Sequence, residues 1–261
     1  MLPVEARQAL KVAVTGIDGT GKSTTIASII NDLAVDNRIV NAPSRPVFSV
    51  VEGKRQEHFR CLIGLIDKLH GFADKSQNPN LVCAVNAAHV ILQGRIIEPS
   101  LIQRIQPTLV LGARDLLVDP AVYAVFYSPR LAAKSMSERI DFLSNLTGAT
   151  TRDTIFFLTV TPQEAVRRIE ARMEKEKNSL AGVGRAKWRH LHENPIALER
   201  LQREYYAAFD EIHRREHIDV FEIDTSQMTQ SEVGDFIKAK IRARSNRRSL
   251  FKDQSVLPVS S

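Results

Sequence analysis

GIDGTGKST, Gly16–Thr24, decides the fold, because it satisfies GxxxxGK[ST] and stands where that pattern has a mechanism. Before it runs KVAVT at 11–15, a short β-branched stretch that reads as a strand. After it KSTTIASIINDLA at 22–34 places Ile26, Ile29, Ile30 and Leu33 on one helical face. Strand, glycine loop and helix together make a phosphate cradle. Gly16, Gly19 and Gly21 can take positive φ, which turns backbone N–H groups inward, and the helix N-terminus aims partial positive charge at the same anion. Thr20 and Thr24 complete the loop, Lys22 is expected to bridge the β- and γ-phosphates, and Ser23 to ligate Mg²⁺ through its hydroxyl. ATP and Mg²⁺ are the implied cofactors.

Working outward, the same alternation repeats. A strand at Ile39–Val40 leads into Asn41-Ala42-Pro43-Ser44, and a helical period follows at 57–70. A longer apolar helix spans about 81–105, broken or bent near Pro99, whose ring removes a helix hydrogen bond. TLVLGA at 108–113 and TIFFLTV at 154–160 are fully apolar runs that suit buried parallel strands. Thr161 and Pro162 read as the cap and first turn of a helix. A helix over 196–215, the strand DVFEID at 219–224 and a helix from about Ser231 close the pattern. Four or five strands alternating with helices predict a three-layer α/β/α fold, a mostly parallel sheet with helices on both faces, of the P-loop NTPase kind.

Composition removes several classes. The chain has 261 residues, 43% hydrophobic, which is long enough for one buried core and far from disorder. Cys61 and Cys83 are too few for a disulfide framework, and no Cys/His cluster has zinc spacing. No segment reads as a secretion signal, and no run reaches about 18 apolar residues, so a reduced, cytoplasmic setting without membrane contact is expected. The net charge of +6 is carried entirely by 236–261, with seven basic residues and one acidic one. That partition predicts a kinase-sized domain over 1–242, with 174–190 as a lid or mobile loop, and a basic flexible tail over 243–261. Nucleic-acid contact through the tail is the lesser reading beside a solvated terminus.

The missing features narrow the chemistry further. No Asn/Thr-Lys-x-Asp guanine-reading motif follows, which disfavours a GTPase, and motor or transporter ATPases need modules the chain lacks. IDGTGKSTT, Ile17–Thr25, with an acidic residue inside the loop, resembles the thymidylate kinase and deoxynucleoside kinase superfamily. The resemblance implies that Asp18 faces a sugar hydroxyl of the acceptor. Arg45-Pro46 resembles the family segment whose arginine meets the acceptor phosphate. Arg114, closing TLVLGAR, resembles the arginine of the Asp-Arg-aromatic motif, here with Ala113 in place of the aspartate that helps hold Mg²⁺; Asp115 or Asp119 would have to replace it.

Further along, 154–179 resembles the family's strand, Pro-x-x-x-Ala helix and basic lid. Arg168 and Arg172, four apart on one face, would close over the ATP phosphates. Tyr123 falls where relatives wall the base pocket, and the loosely matching AVNAAHVILQGR (84–95) offers His89, Gln93 or Arg95 to the acceptor. Asp224-Thr225-Ser226 falls near the adenine loop. Dimerisation would follow from the resemblance.

Three functions remain in competition. Transfer of the ATP γ-phosphoryl to a nucleoside monophosphate leads, with dTMP the first acceptor and Lys22, Asp18, Arg114, Arg168 and Arg172 as the catalytic set. A deoxynucleoside or other small-alcohol kinase is the alternative, and a nucleotide-binding regulatory protein that has lost turnover is the third.

Overall fold

The computed structural model describes residues 9–34, 39–42, 49–50, 60–76, 78–176, 192–215 and 218–253. Among the described residues, six strands form one sheet in the order β3-β2-β4-β1-β5-β6. They are β1 (Leu10–Gly16), β2 (Ile39–Ala42), β3 (Ser49–Val50), β4 (Leu109–Gly112), β5 (Thr154–Thr159) and β6 (Asp219–Asp224). All neighbours are parallel except β2 and β3. The two-residue antiparallel β3 is beyond the expected four or five strands.

Central β1 pairs with β4 from Leu10 opposite Leu109 and with β5 from Val12 opposite Thr154. Successive side chains point to opposite faces of a strand, and here both faces are dry. Val12 and Val14 join Ile26, Ile29 and Leu33 of helix α1 (Lys22–Leu33) and Val233, Ile237 and Ile241 of the last helix. Ala13 faces the other side, with Phe157, Val122, Leu201 and Tyr205. That alternation explains why the strands read as unbroken apolar runs.

The second layer holds α5 (Val118–Tyr127), α6 (Pro129–Ala132), α7 (Met136–Thr147), α8 (Pro162–Glu176) and α9 (Pro195–Arg215). Neither α6 nor α7 was expected, although α7 carries a clear start signal: Ser135 and Glu138 form a reciprocal capping box. Helices α2 (Arg60–Ser76), α3 (Pro79–Leu92) and α4 (Glu98–Ile105) cover the β2 end. The expected break near Pro99 is instead a π-helical turn at Gln93–Ile97 that joins α3 to α4, with Pro99 in the first turn of α4. Gly94 lies in this turn, where a Cβ would come 2.7 Å from the Thr147 carbonyl oxygen. The stretch Asn80–Ile105 is long and apolar enough to cross a membrane by length and composition alone; in this fold it forms one wall of a cavity.

Helix α10 (Gln230–Asp253) runs across the expected domain boundary at 242. Part of its charge is engaged within the chain. Lys238 pairs with Asp32 and Asp235, Arg244 with Asp219, and Lys240 stands 5.0 Å over the Phe221 ring. Residues 254–261 of the expected tail and 177–190 of the expected lid lie outside the described residues.

Candidate active site

The loop between β1 and α1 takes the conformation its glycines allow. Gly16, Gly19 and Gly21 have φ of 140, 88 and 89°. At Gly16 and Gly19 closeness adds a second reason: a Cβ would come 2.2 Å from the Leu158 carbonyl oxygen and 2.6 Å from that of Ala165. Gly21 caps α1 without a side-chain hydrogen bond, which leaves the helix's first amides turned to the loop. Lys22 folds back, its Nζ donating to the carbonyl oxygens of Gly16 (2.8 Å) and Ile17 (2.7 Å). Burial pushes its ammonium down to about 8, against the opposing pull of Asp18.

Two cavities open on this loop. The smaller, about 410 Å³, is lined by Asp18–Thr25 together with Arg114, Arg168, Arg172, Thr225 and Met228. Thr20 contributes a hydroxyl that donates back to Ile17, while Ser23 and Thr24 face the cavity. The larger, about 550 Å³, extends between α3, α5 and α7, with Asn86, His89, Gln93, Tyr123, Tyr127 and His192 in its wall. Asp18, Arg114 and Arg172 line both. Two compartments therefore share a charged threshold.

At that threshold Asp18 is surrounded. Tyr123 donates its hydroxyl to Oδ2 at 3.1 Å, Arg114 stands at 3.6 Å, Lys22 at 3.8 Å, and His192 Nε2 at 3.6 Å. Burial alone would raise the carboxyl, but Lys22, Arg114 and His192 outweigh it and hold Asp18 well below the usual carboxylate range. Arg114 also lies 3.6 Å from Asp119 and 4.6 Å over the Tyr123 ring. Asp119 is buried and saturated: Thr15 Oγ1 donates to both of its oxygens at 2.9 Å, Tyr205 at 2.6 Å, and the Asp115 amide at 2.8 Å.

The expected residues separate in role. Arg168 spans Glu164 on its own helix and Thr225, whose hydroxyl and carbonyl it meets at 3.0 and 3.1 Å, so it ties α8 to the loop after β6. Arg172, one turn on, reaches both cavities and approaches Glu193 at 3.9 Å. Gln93 is buried in the π turn and faces the larger cavity, as does His89, which is hydrogen-bonded to His70 at 3.0 Å. Arg95 turns away and donates to the carbonyls of Leu146 and Asn145 at the end of α7. Arg45 lies outside the described residues.

For Mg²⁺, Ser23 fits as a hydroxyl ligand in the donor cavity. Asp115 does not fit: its Oδ1 caps α5 by accepting from Leu117 and Val118 at 2.8 Å each, burial raises its carboxyl, and it lines only the larger cavity. Asp18, His192 and Glu193 bring ligand-type atoms within 4.8 Å of one another. The cations Lys22, Arg114 and Arg172 already stand within 4 Å of those carboxylates, which removes the charge a divalent ion would need.

His192 was not anticipated. It precedes the cap of α9, where Asn194 accepts from the Ala197 amide at 2.9 Å and Pro195 opens the helix. The Asn-Pro pair after it signals only the helix start, so nothing local in the sequence marks His192 as a site residue.

No family profile matches the sequence, and neither does any curated protein. Solved structures do match. The chain is similar to deoxyadenosine kinase from M. mycoides with the products dCMP and a flexible dCDP bound, at 18% identity and a TM-score of 0.54 over 90% of this chain and 100% of that one. The same enzyme with dATP bound aligns at 18% and 0.52 over 89% of this chain and 100% of that one. With dCTP bound it aligns at 17% and 0.52 over 90% and 100%. The α/β fold with helices on both faces of a mostly parallel sheet is thus the fold of these deoxyadenosine kinase structures. The expectation of a nucleoside monophosphate acceptor, dTMP first, is corrected: the matched structures are of a deoxynucleoside kinase.

Proposed function

We propose, from a fold shared with deoxyadenosine kinase structures, that this chain transfers the γ-phosphoryl of ATP to a hydroxyl of a deoxynucleoside. The observation that carries this reading is the meeting of two cavities at Asp18, Arg114 and Arg172. A phosphate-binding cavity of 410 Å³ on one side and a largely apolar cavity of 550 Å³ on the other suit a triphosphate tail and a nucleoside. Positioning and charge compensation supply most of the catalysis in such transfers.

On the donor side, the loop amides and Lys22 hold the phosphates, and Ser23 is the residue that would hold Mg²⁺ beside them. Bound Mg²⁺ would neutralise charge on the phosphate oxygens. Arg168 keeps the Thr225 loop against α8, and Arg172 compensates charge at the threshold. On the acceptor side, ionised Asp18 accepts from a sugar hydroxyl, Tyr123 fixes Asp18, and Gln93 with His89 reads the base.

ADP release with ATP and Mg²⁺ over a panel of deoxynucleosides, with the product identified by mass and Lys22→Ala as background, tests the proposal. Deoxynucleoside-dependent ADP release and a product heavier by one phosphate are expected. No release above the Lys22→Ala background across the panel would overturn it. Ala113, standing where relatives carry an aspartate, favours a second reading as a nucleotide-binding protein without turnover, which ATP binding in the absence of ADP release would support.

A further inference from the structure

We infer that Tyr205 positions the Arg114 guanidinium for the transfer by pinning Asp119, an inference that rests on the kinase reading above. Arg114 lines both cavities, with Nη2 3.6 Å from Asp18 and Nη1 3.6 Å from Asp119 Oδ1. A guanidinium beside a carboxylate commonly closes on it in a bidentate fork, with N to O distances of about 2.8 Å. Both distances here are longer. On the Asp119 side the cause is visible.

The two oxygens of Asp119 are already filled. Tyr205 donates to Oδ1 at 2.6 Å, Thr15 Oγ1 lies 2.9 Å from each oxygen, and the Asp115 amide donates to Oδ2 at 2.8 Å. The Thr15 and Tyr205 hydroxyls are themselves 3.2 Å apart. Donors from β1, from the loop after β4 and from α9 therefore fix the plane of a carboxylate that is 3% exposed. So held, Asp119 attracts Arg114 by charge without folding it into a fork. The guanidinium stays over the Tyr123 ring at the threshold, where the phosphoryl oxygens arrive.

Tyr205 is the closest of these donors, and it acts on the oxygen that faces Arg114. Its ring is fully buried, with centroids 5.3 and 6.0 Å from those of Phe157 and Phe209, so the hydroxyl cannot turn aside. The other acceptor near it, the Gly16 carbonyl oxygen, is 3.4 Å away. Burial, and then the charge of Asp119, push the hydroxyl well above its usual value of 10, which keeps it a donor at neutral pH. Without that hydroxyl, buried Oδ1 would lack its nearest donor, and Arg114 is the cation within reach. The carboxylate would close on the guanidinium and draw it off the threshold. Tyr205 lines neither cavity, so it is a positioning residue.

Tyr205→Phe tests this by removing only the hydroxyl, with Tyr206→Phe as the control. Tyr206 is the next residue on α9, and its hydroxyl meets the exposed Glu222. With ATP and the best deoxynucleoside, Tyr205→Phe should lower kcat at least about 10-fold and leave both KM values within about threefold, while Tyr206→Phe matches wild type. A second readout follows Arg114 itself. Its Nε–H resonance in isotope-labelled protein, assigned by its absence from Arg114→Lys, should move in Tyr205→Phe and stay in place in Tyr206→Phe. Where Tyr205→Phe fails to fold, Thr15→Val takes the other hydroxyl from the same carboxylate and carries the same expectations. A wild-type kcat in the variant, an unmoved Arg114 resonance, or an equal loss in Tyr206→Phe would overturn the role of Tyr205 and leave the kinase reading standing. A wild type without deoxynucleoside-dependent turnover would overturn that reading and this proposal with it.

Discussion

The ammonium of Lys22 donates to the carbonyl oxygens of Gly16 at 2.8 Å and Ile17 at 2.7 Å, so the lysine is held against the backbone of the loop that carries it. Burial holds that ammonium down at about 8 against the attraction of Asp18. The charged lysine is therefore present below about pH 8 and lost above it. ATP affinity should be level at neutral pH, fall as pH rises through about 8, and show proton uptake on binding there. Calorimetry in buffers of different ionisation enthalpy measures both, and Lys22→Ala should bind weakly with neither dependence.

Gly16 and Gly21 share a left-handed φ but differ in their surroundings. Gly16→Ala would drive a Cβ to 2.2 Å from the Leu158 carbonyl oxygen, whereas Gly21→Ala meets nothing within 4 Å. Gly21→Ala should thus cost only backbone strain, about 1–2 kcal/mol. Gly16→Ala should lose more than about 3 kcal/mol, because β5 cannot retreat without breaking its pairing with β1. Urea titration of the two variants gives the comparison.

These glycines also explain why the donor side was legible from sequence. Their spacing is local, and the β-branched run before them and the helical period after them are local too. Arg168 and Arg172 share that advantage, lying on one helix face next to a recognisable Thr-Pro start. The acceptor side is assembled differently. His192 reaches Asp18 from the far end of a polar stretch, Thr15 and Tyr205 converge on Asp119 from β1 and α9, and Gln93 is turned inward by a π turn that no periodicity announces. Asp115 misled because it stands next to Arg114, yet its carboxylate turns back to cap α5.

Arg168 and Arg172 lie four residues apart on α8 and should fail differently. Arg168 holds the Thr225 hydroxyl and carbonyl at 3.0 and 3.1 Å, so Arg168→Ala should loosen the nucleotide loop and raise the KM for ATP with little change in kcat. Arg172 lines both cavities, and Arg172→Ala should lower kcat by about 100-fold with a smaller change in either KM. Steady-state kinetics on the two variants separates a residue that positions a loop from one that meets developing charge.

The Arg152–Glu98 pair, 1% and 4% exposed, connects the start of α4 to the residues just before β5, with hydrogen bonds of 2.5 and 2.7 Å and Lys11 at 3.7 Å. Burial pushes the Glu98 carboxyl up, but the Arg152 guanidinium, then Lys11, reverse that and hold it below its usual value of 4.5. A depressed carboxyl contributes its full stability above pH 4.5 and loses it as pH falls through the folded value. Glu98→Gln should therefore cost about 3–5 kcal/mol at pH 7 by leaving a buried guanidinium without its counter-charge. Chemical denaturation should show the gap between wild type and variant closing as pH falls below 4.5 towards the depressed folded value, where the wild-type carboxyl itself takes a proton. Because Glu98 directly follows the π turn that carries Gln93, the same variant should also raise the KM for the deoxynucleoside while leaving that for ATP unchanged. An unchanged deoxynucleoside KM in a destabilised variant would mean that the π turn holds Gln93 without help from the ion pair beneath it.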